Sequence, residues 1–154
     1  MNDKEYLSKE KFKELKKELK ELKTTKRTEI AERLGYARSL GDLSENAEYH
    51  SARDAQIEIE TRIEELKELL KNVEIISHKK TDIAEAGSTV VLKKVGSSEN
   101  ITYQIVGQEE ADLAVGKISY RSPLGAAILG KKKKEEFSLE TPKGVSKYVV
   151  VDLL

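Results

Sequence analysis

The chain has 154 residues, which is enough for one ordinary domain or two small ones. Charged residues make up 36% of it and aromatic residues only 5%, with no tryptophan, so we expect any compact core to be small and aliphatic. The absence of cysteine excludes disulfides and cysteine-ligated zinc. No apolar run approaches the roughly 18 residues of a membrane span and no hydrophobic signal region follows Met1, so we expect a cytoplasmic protein.

The distribution of charge is more informative than its total. A formal net charge of zero argues against a free-standing DNA-binding protein, which needs surplus cations to displace phosphate counterions. Residues 9–40, however, carry 11 Lys and Arg against 6 Asp and Glu, whereas residues 45–75 carry 4 against 9. Two neighbouring segments of opposite charge are typical of helices that lie against each other.

The composition changes near residue 76. Both prolines and seven of the nine glycines follow this point, together with runs rich in Val and Ile. We therefore predict a helical domain over residues 1–76 and a β-rich domain over residues 77–154.

The helical half contains two coiled-coil seams. Ser8 is suited to cap the first helix. Apolar residues then recur at steps of 3 and 4, the spacing of a coiled-coil seam, at Phe12, Leu15, Leu19 and Leu22. A second seam with the same spacing runs through Ala52, Gln56, Ile59, Ile63, Leu66, Leu70 and Val73.

The two seams predict an antiparallel hairpin. If Phe12 pairs with Val73, the two residue numbers of this pair add up to 85, and so do those of each of the next three apolar pairs. The pair Leu34 and Ala52 adds up to 86. A nearly constant sum places the turn at residues 41–44. The tip is then about 45 Å from Phe12 at 1.5 Å per helical residue.

Two interpretations of the tip remain open from the residues alone. Gly41 is suited to end the first helix, and Asp42 with Glu45 three residues later matches a capping box for the second. The exposed acids are equally the hard oxygen ligands that Mg²⁺ prefers.

The tip also resembles a known family. The run Gly41-Asp42-Leu43-Ser44-Glu45-Asn46-Ala47-Glu48-Tyr49-His50, continuing to Ala52-Arg53, is similar to the tip signature of GreA-type transcript cleavage factors. A second signature of that family resembles Ser122-Pro123-Leu124-Gly125, followed by Leu129-Gly130-Lys131. The resemblance therefore covers essentially the whole chain.

This resemblance implies a function and a set of site residues. In the family the coiled coil enters the secondary channel of RNA polymerase, and the tip carboxylates help to hold a Mg²⁺ ion while the polymerase hydrolyses the 3′ end of backtracked RNA. Asp42 and Glu45 would supply those carboxylates and are the expected catalytic and metal-binding residues, without making the protein an enzyme by itself. Arg38 and Arg53 would contact the nascent RNA, while Gly41, Asn46 and Tyr49 would shape the tip.

The β-rich half has the pattern of a small sheet with one helix. Strands are predicted at Thr89–Val95, Ile101–Gly107, Leu113–Tyr120, Glu136–Thr141 and Ser146–Leu153. Ser122-Pro123 predicts the start of one short helix. The resemblance implies an FKBP-like antiparallel fold that docks on polymerase, with Ser122 and Pro123 as the expected contact.

Taken together, the predicted fold class is α+β: a long antiparallel helical coiled-coil hairpin followed by the small β domain. The predicted function is transcript cleavage in partnership with bacterial RNA polymerase, by a protein that acts as a monomer and contacts no membrane. Two alternatives remain, a factor that inhibits polymerase by blocking the channel and a coiled-coil protein with a structural or chaperone-like role.

Overall fold

The computed structural model describes residues 4–42, 44–77 and 80–154. In the helical half it contains β1 (Glu5–Leu7), α1 (Lys9–Glu21), a π-helical turn (Leu22–Lys26), α2 (Arg27–Ser39) and α3 (Ala47–Lys71). The rest comprises β2 (Val73–Ile75), β3 (Thr89–Lys94), β4 (Asn100–Val106), β5 (Lys117–Ser119), α4 (Pro123–Ile128), β6 (Glu136–Thr141) and β7 (Gly144–Leu153). None of the helices in these ranges is long and apolar enough to cross a membrane.

The described residues fall into two compact units. The hairpin unit comprises Phe12–Val73, and the sheet unit comprises Lys4–Lys11 together with Glu74–Leu154. The sequence had assigned Lys4–Lys11 to the helical domain, whereas the structure groups this segment with the sheet.

The hairpin unit has the antiparallel pairing that the two seams predict. The side chains buried between the helices all belong to these seams or their continuation: Leu15, Ile30, Leu34, Ala37, Ala52, Ile63 and Leu66. On the surface, the Arg27 guanidinium donates two 2.8 Å hydrogen bonds to the Glu60 carboxylate, and Arg62 Nε lies 2.8 Å from Glu18 Oε1. The Arg27–Glu60 pair joins the basic segment to the acidic one as expected, whereas the Glu18–Arg62 pair has its acid on the first segment.

The first helix is interrupted by the π-helical turn, which the seam did not predict. The hydroxyl of Thr24, inside this turn, donates a 2.7 Å hydrogen bond to the Lys20 carbonyl, and the hydroxyl of Thr28, just after the turn, donates one of 3.0 Å to the Thr24 carbonyl. Such back-bonding competes with the regular ladder and bends helices. A π turn takes up an extra residue, which accounts for the change in the predicted pairing sum from 85 below it to 86 above it.

The sheet unit contains a mixed five-stranded sheet in the order β5-β4-β3-β7-β6. The pairs β3–β4, β3–β7 and β6–β7 are antiparallel, but β4 and β5 are parallel, so the prediction of a wholly antiparallel sheet was wrong in this detail. The helix α4 covers a core that includes Val90, Leu92, Ile105, Ile128 and Val150.

The predicted strand Leu113–Tyr120 was too long. Its first part is a 3₁₀ turn at Leu113–Val115, because the carboxylate of Asp112 accepts a hydrogen bond from the Ala114 amide and Gly116 then takes a left-handed φ of 76°. The chain thereby reverses before Lys117–Ser119, the only stretch of the predicted strand that becomes β structure.

The two-stranded sheet β1–β2 was not predicted, because strands of three residues show no periodicity. Leu7 is fully buried, and its carbonyl accepts a 2.8 Å hydrogen bond from the Ile76 amide. The Tyr6 ring packs edge-on against Tyr120, with ring centroids 5.2 Å apart. A methyl group on Gly107 would lie 1.9 Å from the Tyr6 carbonyl oxygen, so the close approach of β1 requires glycine there.

Candidate functional site

The hairpin turn runs from Leu40 to Asn46. Helix α2 ends at Ser39, and Gly41 follows with φ of 125°, a conformation that side-chain-bearing residues rarely adopt. Apart from its two chain neighbours, no described residue has an atom within 4 Å of the position that a Cβ on Gly41 would occupy, so the backbone conformation and not crowding requires the glycine. Leu43 lies outside the described residues.

Asn46, not Asp42, caps the second helix. Helix α3 begins at Ala47, and Asn46 Oδ1 accepts a 3.0 Å hydrogen bond from the Tyr49 amide. The predicted capping box of Asp42 and Glu45 is therefore wrong. The physical reason is that Asp42 is engaged locally, since its Oδ1 accepts hydrogen bonds from the amide of Ser44 at 3.0 Å and from the Ser44 hydroxyl at 2.9 Å.

This arrangement leaves both predicted carboxylates at the surface of the turn. Asp42 is exposed. The hydrogen bond from the Ser44 amide, and to a smaller extent the one from the Ser44 hydroxyl, lowers the pKa of the Asp42 carboxyl group. Asp42 is therefore fully ionised at neutral pH. Glu45 is also exposed, and among the described residues its side chain has no hydrogen bond or ion pair. Neither carboxylate stabilises the start of α3 as a cap.

The chemistry of these two groups suits a divalent cation, but only as part of a ligand set. Ionised carboxylates are hard oxygen donors, and Mg²⁺ is commonly held by one or two of them while it keeps waters or phosphates. Oδ2 of Asp42 accepts no hydrogen bond within the described part of the chain. Over the same residues no group of three or more His, Cys, Asp or Glu side chains converges into a metal site. Two carboxylates alone would leave most of the ligand shell of a Mg²⁺ ion to other donors.

Asn46 and Tyr49 support the turn from beneath. Asn46 Nδ2 donates a 2.5 Å hydrogen bond to the carbonyl of Ala37, near the end of α2, while its Oδ1 caps α3. Tyr49 packs against a buried cluster of Ile30, Leu34 and Ala52. One side-chain amide and one aromatic ring therefore tie the two helices together directly below the carboxylates.

Arg38 and Arg53 lie on the same side of the hairpin. Helical residues advance by about 100° each, so Arg27 and Arg38 follow one edge of the buried seam on α2, and Arg53 and Glu60 follow the matching edge on α3. The bidentate Arg27–Glu60 contact shows that these two edges meet.

Neither arginine is neutralised. Arg53 donates a 2.6 Å hydrogen bond to the uncharged amide of Gln56, and Arg38 has no side-chain partner among the described residues. Both are exposed. They are therefore available to an anionic ligand that approaches this side of the tip.

Ser122 and Pro123 begin α4, as the sequence predicts. Ser122 Oγ accepts a 3.0 Å hydrogen bond from the Gly125 amide, and Pro123 occupies the first turn of the helix, where its missing N–H costs nothing. Pro123 is exposed, whereas Gly125 is buried, with Ser119 O 2.0 Å from where its Cβ would lie. This turn belongs to the sheet unit and the carboxylates belong to the hairpin unit.

Sequence reasoning missed the part that Ser44 plays at the tip. An Asp followed two residues later by a Ser is a pattern for an Asx turn, in which the carboxylate binds the backbone N–H two residues on. The prediction overlooked this signal because the capping box also fitted. Ser44 hydrogen-bonds the Asp42 carboxylate and lowers its pKa.

Both halves of the chain match models of one protein family. Residues 5–75 match the N-terminal domain of transcription elongation factors, and residues 79–154 match the GreA/GreB C-terminal domain. The chain belongs to the GreA/GreB family of transcription elongation factors. This confirms the resemblance seen in the two signatures.

Two GreA relatives agree with this assignment over 90% or more of the chain. Transcription elongation factor GreA of Chloroherpeton thalassium is 42% identical over 155 residues, which cover 99% of this chain and 98% of that protein. The GreA of Clostridium acetobutylicum is 45% identical over 141 residues, or 90% of this chain and 89% of that one. Among solved structures, GreA factor homolog 1 of Thermus thermophilus is 28% identical with a TM-score of 0.43, covering 98% and 99% of the two chains.

Proposed function

We propose that this GreA/GreB family member stimulates the hydrolysis of backtracked nascent RNA by bacterial RNA polymerase, with its hairpin tip inside the secondary channel. The observation that carries the proposal is the pair of exposed carboxylates at the hairpin turn, Asp42 and Glu45, which the capping of α3 does not use. If the hairpin were only structural, Asn46 would be enough to cap α3, and the two carboxylates would have no role there.

In this proposal the tip supplies ligands and not a complete active site. Asp42 and Glu45 would hold a Mg²⁺ ion jointly with the polymerase, and the ion would supply the positive charge that stabilises the attacking and leaving oxygens. Ser44 orients the Asp42 carboxylate through two hydrogen bonds. Asn46 holds the turn against the end of α2, so that the carboxylates are presented in a fixed position. The protein is then an activator and has no catalysis of its own.

Arg38 and Arg53 are proposed to hold the extruded RNA. Their shared side of the hairpin and their lack of acidic partners support this role. A guanidinium presents a planar pair of donors that matches a phosphate, so two arginines suffice to guide a single strand without reading its sequence.

The sheet unit is proposed to dock on the polymerase at the rim of the channel. The exposed Pro123, fixed at the start of α4 by the Ser122 cap, supports a contact at this turn. A rigid, preorganised contact loses little conformational entropy on binding.

A direct assay tests the proposed function. Purified protein is added to a stalled, backtracked complex of bacterial RNA polymerase in the presence of Mg²⁺, and the RNA is resolved by length. We expect short 3′ fragments to be released faster than from the polymerase alone. Slower RNA synthesis without any such fragments would instead identify a channel-blocking inhibitor.

A further inference from the structure

The two sides of the hairpin near the tip differ in character. On the side opposite Arg38 and Arg53, two large apolar side chains are exposed: 63% of Tyr36, in α2, and 54% of Leu40, directly after the end of α2, are open to solvent. They are four residues apart, so their side chains are neighbours on one face of the helix. An exposed aromatic ring beside an exposed leucine has no role in the packing of the hairpin.

The charge on this second side is neutralised. Arg33 lies on the same face as Tyr36, three residues earlier, and donates a 2.6 Å hydrogen bond to Ser51 Oγ. Its guanidinium is also 3.7 Å from the Glu48 carboxylate. Arg33, the cation beside Tyr36 in the described part of this side, is therefore already engaged, in contrast to Arg38 and Arg53 on the other side.

We infer that Tyr36 and Leu40 form a contact surface for the protein wall of the polymerase channel, on the side of the tip that faces away from the RNA. This inference rests on the proposed function. Tyr36 and Leu40 precede Asp42 by only six and two residues, which is within about 9 Å at 1.5 Å per residue. If the carboxylates reach the polymerase active site, these side chains are inside the channel as well.

The chemistry favours a protein wall over RNA as the partner. Apolar side chains gain most from surfaces that exclude water, and tyrosine is enriched in the cores of protein interfaces. A single-stranded RNA partner would need a cation for its phosphates beside the stacking ring, and the cation on this face is already engaged. The hairpin would thus be oriented in the channel by two unlike sides, one cationic and one apolar.

The test is a titration of cleavage against factor concentration with the double variant Tyr36→Ala, Leu40→Ala. Alanine keeps the helix and removes the apolar surface. We expect the half-saturating concentration to rise by at least about tenfold, because withdrawing even one of the two apolar side chains from a buried contact has about that effect, while the rate at saturation is kept. Ile57→Ala is the matched control, because Ile57 is 57% exposed on α3 but is farther along the chain from the tip. An unchanged half-saturating concentration, or a loss confined to the saturated rate, would contradict the inference.

A second measurement does not depend on cleavage. A photoreactive benzoyl-phenylalanine at position 36 should crosslink to a polymerase polypeptide in the assembled complex, and the same group at position 57 should do so much less. Crosslinking to RNA would replace the inference with a base-stacking role, and crosslinking to neither partner would overturn it. Because this readout persists when cleavage is absent, failure of the proposed function can be told apart from failure of the inference.

Discussion

The side chain of Asn46 joins the two helices of the hairpin, since its Nδ2 donates a 2.5 Å hydrogen bond to the carbonyl oxygen of Ala37. Its Oδ1 at the same time accepts from the Tyr49 amide. One side-chain amide therefore binds the Ala37 carbonyl, which also accepts a 3.2 Å hydrogen bond from the Leu40 amide, and an N–H in the first turn of α3 that the helix itself leaves without a partner. Only asparagine and glutamine carry a side-chain amide with both a donor and an acceptor, and the glutamine side chain is longer.

We expect Asn46→Asp to destabilise the hairpin by about 1 kcal/mol, the usual contribution of one hydrogen bond. Aspartate keeps the capping acceptor but places a second acceptor against the Ala37 carbonyl. Urea unfolding followed by helical circular dichroism measures the change. Asn100→Asp, at the start of β4 in the sheet unit, is the matched control. Equal stability of Asn46→Asp and the wild type would mean that the bond to Ala37 contributes nothing.

The N-terminal strand provides a second prediction. Leu7 is fully buried inside the sheet unit. It packs beside Gly107, since a Cβ built on that glycine would lie 3.9 Å from a methyl carbon of Leu7. Leu7→Ala should therefore destabilise the sheet unit by about 2–5 kcal/mol, as buried leucine truncations do. Hydrogen exchange at the core amides of Val90 and Ile105 measures this directly.

The control for Leu7→Ala is Val95→Ala, which shortens a side chain that is 52% exposed. It should leave the exchange of the same amides nearly unchanged. If Leu7→Ala also left them unchanged, the segment Lys4–Lys11 would not contribute to the stability of the sheet unit.

Strong repeats made the helical hairpin predictable. Leu15, Ile63 and Leu66 are buried as the seam requires, because a spacing of 3 and 4 maintained over many turns leaves few other ways to bury the apolar side chains. The strand Glu136–Thr141 was also predicted with its observed bounds. Pattern reasoning works where many residues contribute to the same signal.

Local features were harder to predict because neighbouring residues compete. Asp42, Ser44 and Asn46 are all good caps within five positions, and spacing alone did not decide between them. The structure selects Asn46 because its amide reaches Ala37 and Asp42 is occupied by Ser44. The three-residue strand Glu5–Leu7 carried no periodic signal at all, since its pairing depends on the distant strand Val73–Ile75.

The arginine side of the tip gives a third prediction. Arg53→Gln should reduce RNA crosslinking and raise the factor concentration needed for cleavage, because it removes a guanidinium group that has no acidic partner among the described residues. We expect a change of roughly fivefold to thirtyfold, the magnitude of one charge-assisted hydrogen bond of about 1–2 kcal/mol. Lys13→Gln removes one exposed charge far down the hairpin and should have little effect. Equal effects of the two variants would mean that only net charge matters.

The start of α4 gives a fourth prediction. Pro123→Ala retains the Ser122 cap and should leave the sheet folded, but it removes an exposed ring from the proposed docking contact. The dissociation constant for RNA polymerase, measured by fluorescence anisotropy, should rise severalfold. An unchanged constant in a folded variant would restrict Ser122 and Pro123 to the role of starting the helix.

The central claim is that Asp42 and Glu45 act as charged ligands at the tip. The double variant Asp42→Asn, Glu45→Gln tests it, because the Asn side-chain oxygen can still accept from Ser44 and Glu45 has no partner to lose among the described residues. The cap on α3 is supplied by Asn46 and is unaffected. The variant should therefore fold normally and bind polymerase normally.

The decisive measurement is the rate of RNA cleavage in a backtracked complex at saturating factor. The control is Glu58→Gln, which removes one exposed carboxylate from the middle of α3. We expect the double variant to cleave more slowly by roughly tenfold or more, since a neutral amide is a poorer ligand for Mg²⁺, and to recover partly as Mg²⁺ is raised. Glu58→Gln should cleave at the wild-type rate. Wild-type cleavage by the folded double variant would contradict the account.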